Sequence, residues 1–156
     1  MERKNTMEII IDANVVVKWF VIEEFKEQAI SLRDDYINKK IELSGPAILP
    51  FEVLNAINYS KKGISKNELE NIGKSLLYYG FRLFSLNEKL LSETVDIALK
   101  MNITIYDAVY VSLAKIRQTN LFTADSHLIN KLDALTKNFV KHISAYQSQS
   151  NGNGSI

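Results

Sequence analysis

Short apolar runs alternate along the chain with longer segments whose apolar residues recur at helical spacing. The first run, Ile9-Ile10-Ile11, is continuous and β-branched, which is typical of a parallel strand covered on both faces. Further short runs predict four more strands, at residues 41–44, 82–86, 121–123 and 139–143. Because no Asn-Gly hairpin turn joins two apolar runs, the pattern indicates a mostly parallel sheet with helices on both faces.

The segments between the predicted strands carry helix signals. Helices are predicted at residues 23–39, 51–62, 65–80, 87–101, 103–117 and 126–135. The third opens with a capping box, Ser65-Lys66-Asn67-Glu68, and ends near Gly80. Helix 103–117 is apolar on nearly all sides, so we expect it to be buried. The stretch from Pro50 to Gly80 contains no strand, and we expect it to project as a partly separate clip over one edge of the functional site.

Composition limits the class of protein. The chain has 156 residues, 46% of them hydrophobic and 24% charged, which suits one domain with its own core. The absence of cysteine excludes disulfides, thiolate metal sites and cysteine nucleophiles, and it fits a reducing compartment. No apolar run approaches a membrane span of about 18 residues and the N-terminus lacks a signal-peptide core, so a cytoplasmic location is expected. The net charge of +1 means that any contact with nucleic acid must be local.

Acidic residues follow the predicted strands or open the predicted helices at four places, which are Asp12, Glu52, Asp107 and Asp125. In open parallel sheets, ligand sites lie beyond the carboxyl ends of the strands, where an acid after Ile11 would stand. Asp107 is the most informative of the four, because its apolar neighbours leave little water and a lone buried carboxylate costs several kcal/mol. A structural interpretation stays open for both residues. Asp12 could cap a helix, and Asp107 could interact favourably with the dipole at the N-terminus of its helix.

A cluster of carboxylates is unstable through its own repulsion unless a cation neutralises it. Oxygen ligands without Cys or paired His favour Mg²⁺ or Mn²⁺ over zinc. Thr123 precedes Asp125 by two residues and could offer a hydroxyl from the same edge of the sheet. The sequence therefore predicts a magnesium or manganese site built on these acids.

The four acids lie in the segments Ile11–Phe20, Pro50–Ala56, Thr104–Ala114 and Leu121–Asp125. Taken in order, these segments resemble the motifs of PIN-domain ribonucleases, and most closely those of the VapC type of toxin. The resemblance runs from Met7 to about Ile143. It implies a three-layer α/β/α sandwich whose five-stranded, mostly parallel sheet has the strand order 3-2-1-4-5.

The resemblance also implies a function: a site that binds Mg²⁺ or Mn²⁺ and cleaves RNA, in a homodimer that a cognate antitoxin protein inhibits. It carries over a catalytic set of Asp12, Glu52, Asp107 and Asp125, metal ligands Asp12, Asp107 and Asp125, and polar neighbours Asn14 and Thr123. Asn14 stands where Ser or Thr is frequent in the family. A single domain is expected over residues 7–146, with polar and disordered ends at 1–6 and 147–156.

Three other classes of protein were compared with these motifs. A response-regulator receiver needs adjacent acids after its first strand, and a dehalogenase-type phosphatase needs an Asp-x-Asp pair. The segment Asp12-Ala13-Asn14 provides neither. A PIN-like module that binds RNA or a partner protein without cutting stays open as the alternative function.

Residues near the motifs suggest contacts with RNA and with a second copy. Candidates for RNA binding are Lys18, Lys61 and Lys62, and His127 could carry a proton or contact RNA. For each of them, an ordinary surface position is the alternative. Large apolar residues are concentrated between Leu76 and Phe84. They predict a dimer surface, with burial inside the monomer as the alternative.

Overall fold

A computed structural model of the chain describes residues 5–149. Its strands form one sheet and are β1 (Met7–Ile11), β2 (Ile41–Pro46), β3 (Arg82–Phe84), β4 (Asn120–Thr123) and β5 (Val140–His142). They lie in the order β3-β2-β1-β4-β5, and every pair is parallel. The predicted α/β class and strand order are confirmed.

Helices flank this sheet. In chain order they are α1 (Ala13–Val17), α2 (Lys26–Ile37), α3 (Leu49–Ser60), α4 (Lys66–Tyr79), α5 (Glu88–Met101), α6 (Ile105–Arg117), α7 (Ser126–Lys131) and α8 (Ala134–Lys137), and a 3₁₀ turn (Ile143–Ala145) follows β5. Within residues 5–149, no single helix is long and apolar enough to cross a membrane.

Strand β1 lies in the middle of the sheet because its side chains can be buried on both faces. Ile9, Ile10 and Ile11 are all fully buried, and the strand pairs with β2 on one side and β4 on the other. The pairing continues one residue further, since the Asp12 amide donates to the Phe122 carbonyl at 3.0 Å. The first acid is therefore held at the carboxyl end of the central strand.

Several element boundaries differ from the predictions by one or a few residues. Helix α2 begins after Phe25, not at residue 23, because Phe25 has a left-handed φ of 62°. The helix predicted at 126–135 is two helices, because Leu132 is extended and the Asp133 side chain caps α8 through the Thr136 amide at 2.8 Å. Strand β3 ends at Phe84, two residues before the predicted end.

Helices α3 and α4 fill the long stretch without a strand. Helix α3 packs against α1 and buries Leu49, Val53 and Ile57, whereas α4 fully buries only Leu76. Helix α4 therefore lies at the periphery, and α3 is the member of the pair that brings a site residue, Glu52, to the sheet.

The apolar run predicted as a dimer surface is divided between core and surface. Leu76 and Phe81 are buried, and Tyr79 packs in an aromatic cluster with its ring centroid 5.0 Å from that of Trp19. Leu77 and Tyr78 are 80% and 89% exposed. These two residues, together with Leu83, which is 40% exposed, are the members of the run that are free to meet another molecule.

Contacts continue past residue 146, where the folded domain was expected to end. The Ser148 hydroxyl and the Gln149 amide donate to Asp35, at 2.7 and 2.8 Å. These two residues, which lie in the segment predicted to be a disordered end, therefore contact α2. Of the predicted disordered ends, residues 1–4 and 150–156 lie outside the described residues.

Candidate active site

Asp12 is the most deeply buried acid of the site, with 6% of its surface exposed. Its Oδ2 accepts hydrogen bonds from the Thr123 hydroxyl at 2.8 Å and from the Asn14 amide at 3.3 Å. Asp12 occupies the N-cap position of α1, but its side chain makes no capping hydrogen bond. The capping interpretation of this residue is therefore wrong, and another role must account for a buried carboxylate.

Thr123 and Asn14 connect the ends of the two central strands. Thr123 is fully buried, and its hydroxyl oxygen accepts a hydrogen bond from the Asp125 amide at 3.1 Å while it donates to Asp12. The Asn14 side chain donates to Thr123 Oγ1 at 3.2 Å and accepts from the Ala124 amide at 2.9 Å. Both predicted polar neighbours thus fix the position of Asp12 relative to the turn after β4.

Glu52 is half-buried in the first turn of α3 and is held by a residue that the sequence analysis did not select. Tyr110, on α6, is 1% exposed, and its hydroxyl donates to Glu52 Oε1 at 3.1 Å. Burial and the nearby charges of Asp12 and Glu52 raise the pKa of Tyr110, so it stays a protonated donor. Its place one helical turn after Asp107 was the available signal.

Asp107 is half-buried, because the first turn of α6 reaches the surface. Ile105 and Tyr106 beside it are 54% and 60% exposed, and the first buried residue of α6 is Ala108. The Asp107 amide donates to the Thr104 hydroxyl, which caps the helix, at 3.0 Å. The expectation that Asp107 is shielded from water is therefore wrong for its own turn of the helix.

Asp125 is half-buried and caps a helix. Its Oδ1 accepts from the Leu128 amide at 3.0 Å, at the start of α7. Asp125 therefore has the helix-capping role that Asp12 lacks. The residue nevertheless stands within electrostatic reach of Asp107, whose pKa it raises.

The pKa of Asp12 is raised to about 7. Burial is the main cause, and repulsion by Glu52 and Asp107 adds to it, while the hydrogen bond from Thr123 acts in the opposite direction. An aspartate with this pKa is only partly ionised at neutral pH. The surrounding protein therefore fails to compensate the charge that it buries.

The pKa values of Glu52 and Asp107 are raised as well. Burial raises the pKa of Glu52, with a contribution from the charge of Asp107, against the hydrogen bond from Tyr110. Burial also raises the pKa of Asp107, with repulsion from Asp125, while the Lys131 ammonium partly offsets it. These pairwise repulsions connect all four predicted acids into one electrostatic group at the carboxyl ends of β1 and β4.

Two cavities adjoin the acids. One, of about 410 Å³, is lined by Asp107 and Asp125 together with His127, Lys131 and Thr104. The other, of about 400 Å³, is lined by Ile48, Phe51, Glu52, Asn55 and Tyr106. Helix α6 contributes to both, so the acids lie between a cavity that carries basic side chains and one that carries aromatic rings.

The donor set suits a hard divalent cation. Carboxylate, hydroxyl and amide oxygens are the ligands that Mg²⁺ and Mn²⁺ prefer. In the arrangement over residues 5–149, no three His, Asp or Glu side chains lie close enough together to hold one metal ion. A bound cation would therefore have to draw the carboxylates inward, and the raised pKa values of Asp12, Glu52 and Asp107 show that the repulsion opposing closer approach is not neutralised by the protein.

The predicted basic contacts fall in different places. Lys18 is 6% exposed and pairs with Glu23 at 3.0 Å, so it is not free to contact RNA, contrary to the prediction. Lys61 and Lys62 are exposed just after α3. Lys131, which the sequence analysis did not select, lies in the acid-lined cavity beside His127.

Known proteins share this sequence pattern and this fold. Ribonuclease VapC3 from Pyrobaculum aerophilum is 27% identical over 132 residues, which cover 83% of this chain and 98% of that protein. FitAcB from Neisseria gonorrhoeae has a TM-score of 0.65 at 16% identity, over 88% of this chain and 99% of that one. A toxin–antitoxin complex from Klebsiella pneumoniae has a TM-score of 0.56 at 14% identity, over 76% and 87%.

The likeness to the two solved structures shows only that the fold is shared, because their sequence identity to this chain is low. A family model described as PIN domain matches residues 9–135, a span that contains all four acids. The matched span covers most of the chain. The chain therefore belongs to the PIN domain family.

Proposed function

We propose that this protein is a metal-dependent ribonuclease and the toxin of a VapBC-type toxin–antitoxin pair. The observation that carries the proposal is the group of four carboxylates at the carboxyl ends of β1 and β4, in which burial and like charges raise the pKa of Asp12, Glu52 and Asp107. The likeness to Ribonuclease VapC3 and to a toxin–antitoxin complex supports the choice of substrate and of biological class.

Asp12, Asp107 and Asp125 would hold Mg²⁺ or Mn²⁺. When bound, such a cation offsets negative charge on the scissile phosphate and lowers the pKa of an attacking water. Thr123 and Asn14 keep the Asp12 carboxylate in one orientation through their hydrogen bonds. Glu52 is the remaining carboxylate, and we assign it the proton from the attacking water. As the new P–O bond forms, the P–O bond to the ribose breaks and the leaving oxygen takes a proton from solvent.

Contacts with the RNA backbone must come from outside the acidic group, because carboxylates repel phosphate. Lys131 and His127 line the cavity beside Asp107 and Asp125, and we assign them to a phosphate adjacent to the cleaved one. Lys61 and Lys62 would extend this contact along α3. Because such contacts release counterions, binding should weaken as salt is raised.

The test is cleavage of a structured RNA and of a single-stranded RNA, each with Mg²⁺, with Mn²⁺ and with excess chelator. We expect cleavage with either metal and none with chelator. Asp12→Asn should lower kcat/KM by at least about 100-fold, in line with the loss of a metal-binding group. The matched control is Asp34→Asn, an exposed acid paired with Arg33 on α2, which should stay within about two-fold of wild type.

Two results would contradict the proposal. Activity that survives chelation, or that is lost on His127→Ala but not on Asp12→Asn, would remove the acids from the mechanism. RNA binding without cleavage in any metal would instead support the alternative function, a PIN-like module that binds without cutting.

A homodimer is part of the proposal. Leu77 and Tyr78 are almost fully exposed near the end of α4, and Leu83 is 40% exposed on β3, the strand at the sheet edge. We assign these residues to a symmetric contact. Light scattering at micromolar concentration should give twice the chain mass of 17.8 kDa, and Leu77→Ser with Tyr78→Ser should give the monomer. A monomeric wild type would exclude the dimer.

The antitoxin partner is tested separately from the chemistry. The small protein encoded beside this reading frame should copurify with the chain on coexpression and should abolish RNA cleavage when added in equimolar amount. An unrelated DNA-binding protein of similar size and charge serves as the control. Cleavage that continues at full rate with the bound neighbour would argue against a toxin–antitoxin pair while leaving the nuclease assignment intact.

A further inference from the structure

Two site acids are each preceded by an exposed aromatic residue in the first turn of a helix. Phe51 precedes Glu52 on α3 and is 72% exposed, and Tyr106 precedes Asp107 on α6 and is 60% exposed. Successive residues of a helix are turned by about 100° from each other, so an acid can face the site while its neighbour faces outward beside it. The two motifs therefore place two rings at the rim of the acidic group.

Both rings line one cavity. It has a volume of about 400 Å³, and its other lining residues are Ile48, Glu52 and Asn55. The aromatic and aliphatic side chains make most of it apolar, while the exposed Asn55 amide offers both a donor and an acceptor. Glu52 belongs to this cavity and to the acidic group, so a strand bound at the acids passes its opening.

We propose that Phe51 and Tyr106 form a stacking site for one unpaired base of the RNA strand whose phosphate lies at the acids. This inference rests on the proposed function and specifies its substrate as single-stranded at that position. Bases present a π-face that stacks on aromatic side chains whatever their identity, and in a duplex that face is covered by neighbouring pairs.

Charge selects a base over other parts of the strand. A phosphate in this cavity would meet the Glu52 carboxylate, whereas a base is uncharged and can use Asn55 for a hydrogen bond to its edge. The basic side chains Lys131 and His127 line the other cavity, with Asp107 and Asp125. The strand would therefore have a base on the aromatic side of the acids and a phosphate on the basic side.

The test measures binding of a seven-nucleotide 2′-O-methyl RNA that carries one 2-aminopurine, whose fluorescence is quenched on stacking. Gel electrophoresis after each titration checks that the oligonucleotide is intact. Wild type should quench the probe, and Phe51→Leu and Tyr106→Leu, which keep apolar bulk but lose the ring, should each raise Kd between about five-fold and about 100-fold. Tyr106→Phe, which keeps the ring, should stay within about two-fold.

Tyr59 provides the matched control. It is 80% exposed on the same helix as Phe51, eight residues further along, and does not line the cavity. Tyr59→Leu should leave Kd and quenching unchanged. An equal loss for Tyr59→Leu, or unchanged binding for both Phe51→Leu and Tyr106→Leu, would overturn the stacking site; the second result would leave the cavity to an apolar side chain of a protein partner.

The binding measurement also separates this inference from the proposed function. If wild type cleaves RNA in a metal-dependent way, and the two Leu variants bind and cleave RNA as wild type does, only the stacking site fails. If wild type does not cleave in any metal but the Leu variants lose binding and quenching, the stacking site stands and the nuclease assignment fails. An RNA substrate with an abasic nucleotide at the quenched position should bind wild type as weakly as the intact probe binds the Leu variants.

Discussion

Asp12 and Asp35 are both buried aspartates, but their surroundings have opposite effects on their charge. Asp35 is 2% exposed on α2, and burial alone would raise its pKa. Hydrogen bonds from Tyr146, Gln149 and Ser148, together with the Lys40 ammonium at 3.8 Å, outweigh burial and lower it. At Asp12, hydrogen bonds from Thr123 and Asn14 are too few, and neighbouring acids add repulsion, so its pKa is raised to about 7.

The difference separates a structural carboxylate from one that needs an external partner. Asp35 has its donors within the chain and fastens the residues after the last strand to α2. Asp12 has an uncompensated charge near Glu52 and Asp107, whose pKa values are also raised. Burial alone is therefore a poor guide to function, and the balance of donors and like charges around the carboxylate is the informative quantity.

The largest expected contrast is in the pH dependence of stability without metal. Because the folded pKa of Asp12 is raised to about 7, the native state binds this proton more tightly than the unfolded state does. The free energy of unfolding should fall as pH rises from about 4 to about 7, by up to roughly 4 kcal/mol for this group, and then level off. Asp12→Asn should remove this fall.

Urea unfolding in chelator at pH 5 and pH 8 measures the effect. Asp35 should act in the opposite direction, since its lowered pKa gives stability that is complete above about pH 4 and lost only at lower pH. Adding Mn²⁺ at pH 8 should stabilise wild type and not Asp12→Asn. Equal pH slopes for wild type and Asp12→Asn would show that Asp12 is not the strained group.

The second prediction concerns Asp35, the carboxylate whose charge is compensated by hydrogen bonds from within the chain. Asp35→Ala removes the acceptor for Tyr146, Ser148 and Gln149, and should lower the free energy of unfolding by about 2 to 4 kcal/mol, with or without metal. Asp34→Ala, the exposed neighbour, should change it by less than about 0.5 kcal/mol. Thermal or urea unfolding provides the measurement, and RNA cleavage below the melting temperature should be unaffected by either change.

The smallest predicted effect tests the Tyr110 hydroxyl, which donates a hydrogen bond to Glu52. Tyr110→Phe keeps the buried ring and removes the hydroxyl that donates to Glu52, which should cost about 1 kcal/mol of stability. Without that hydrogen bond the pKa of Glu52 rises further, so the acid limb of the kcat/KM profile should move to higher pH. Tyr59→Phe, at an exposed tyrosine, is the control, and an unmoved profile would leave Tyr110 with a packing role only.

Much of the fold could be predicted because burial on both faces leaves a plain pattern. The three isoleucines of β1 and the capping box at Ser65 depend only on near neighbours in the chain, and the structure confirms both. The start of α2 was missed because it depends on distant contacts. Phe25 has its left-handed conformation where its ring meets that of His142 edge-on, at 5.0 Å between centroids.

The site divides in the same way. A charge after an apolar strand interrupts the pattern and is visible in the sequence, as for Asp12. Tyr110 fits the pattern of a buried helix, and its place one turn after Asp107 does not indicate its hydrogen bond to Glu52, which is 58 positions away. Asp35 lies in an ordinary helix, and its partner Tyr146 is 111 positions away. Polar partnerships between distant segments therefore needed the structure.

Because β1 pairs with β4, the site combines residues that a ribosome makes at widely separated times. Asp12 is synthesised before Thr123, which holds its carboxylate and follows 111 residues later. At about 5 to 20 residues per second, roughly 5 to 20 seconds of translation separate the two. A nascent or truncated chain thus carries the first carboxylate without the residues that orient it. The orientation of the first carboxylate can be complete only after β4 has been synthesised.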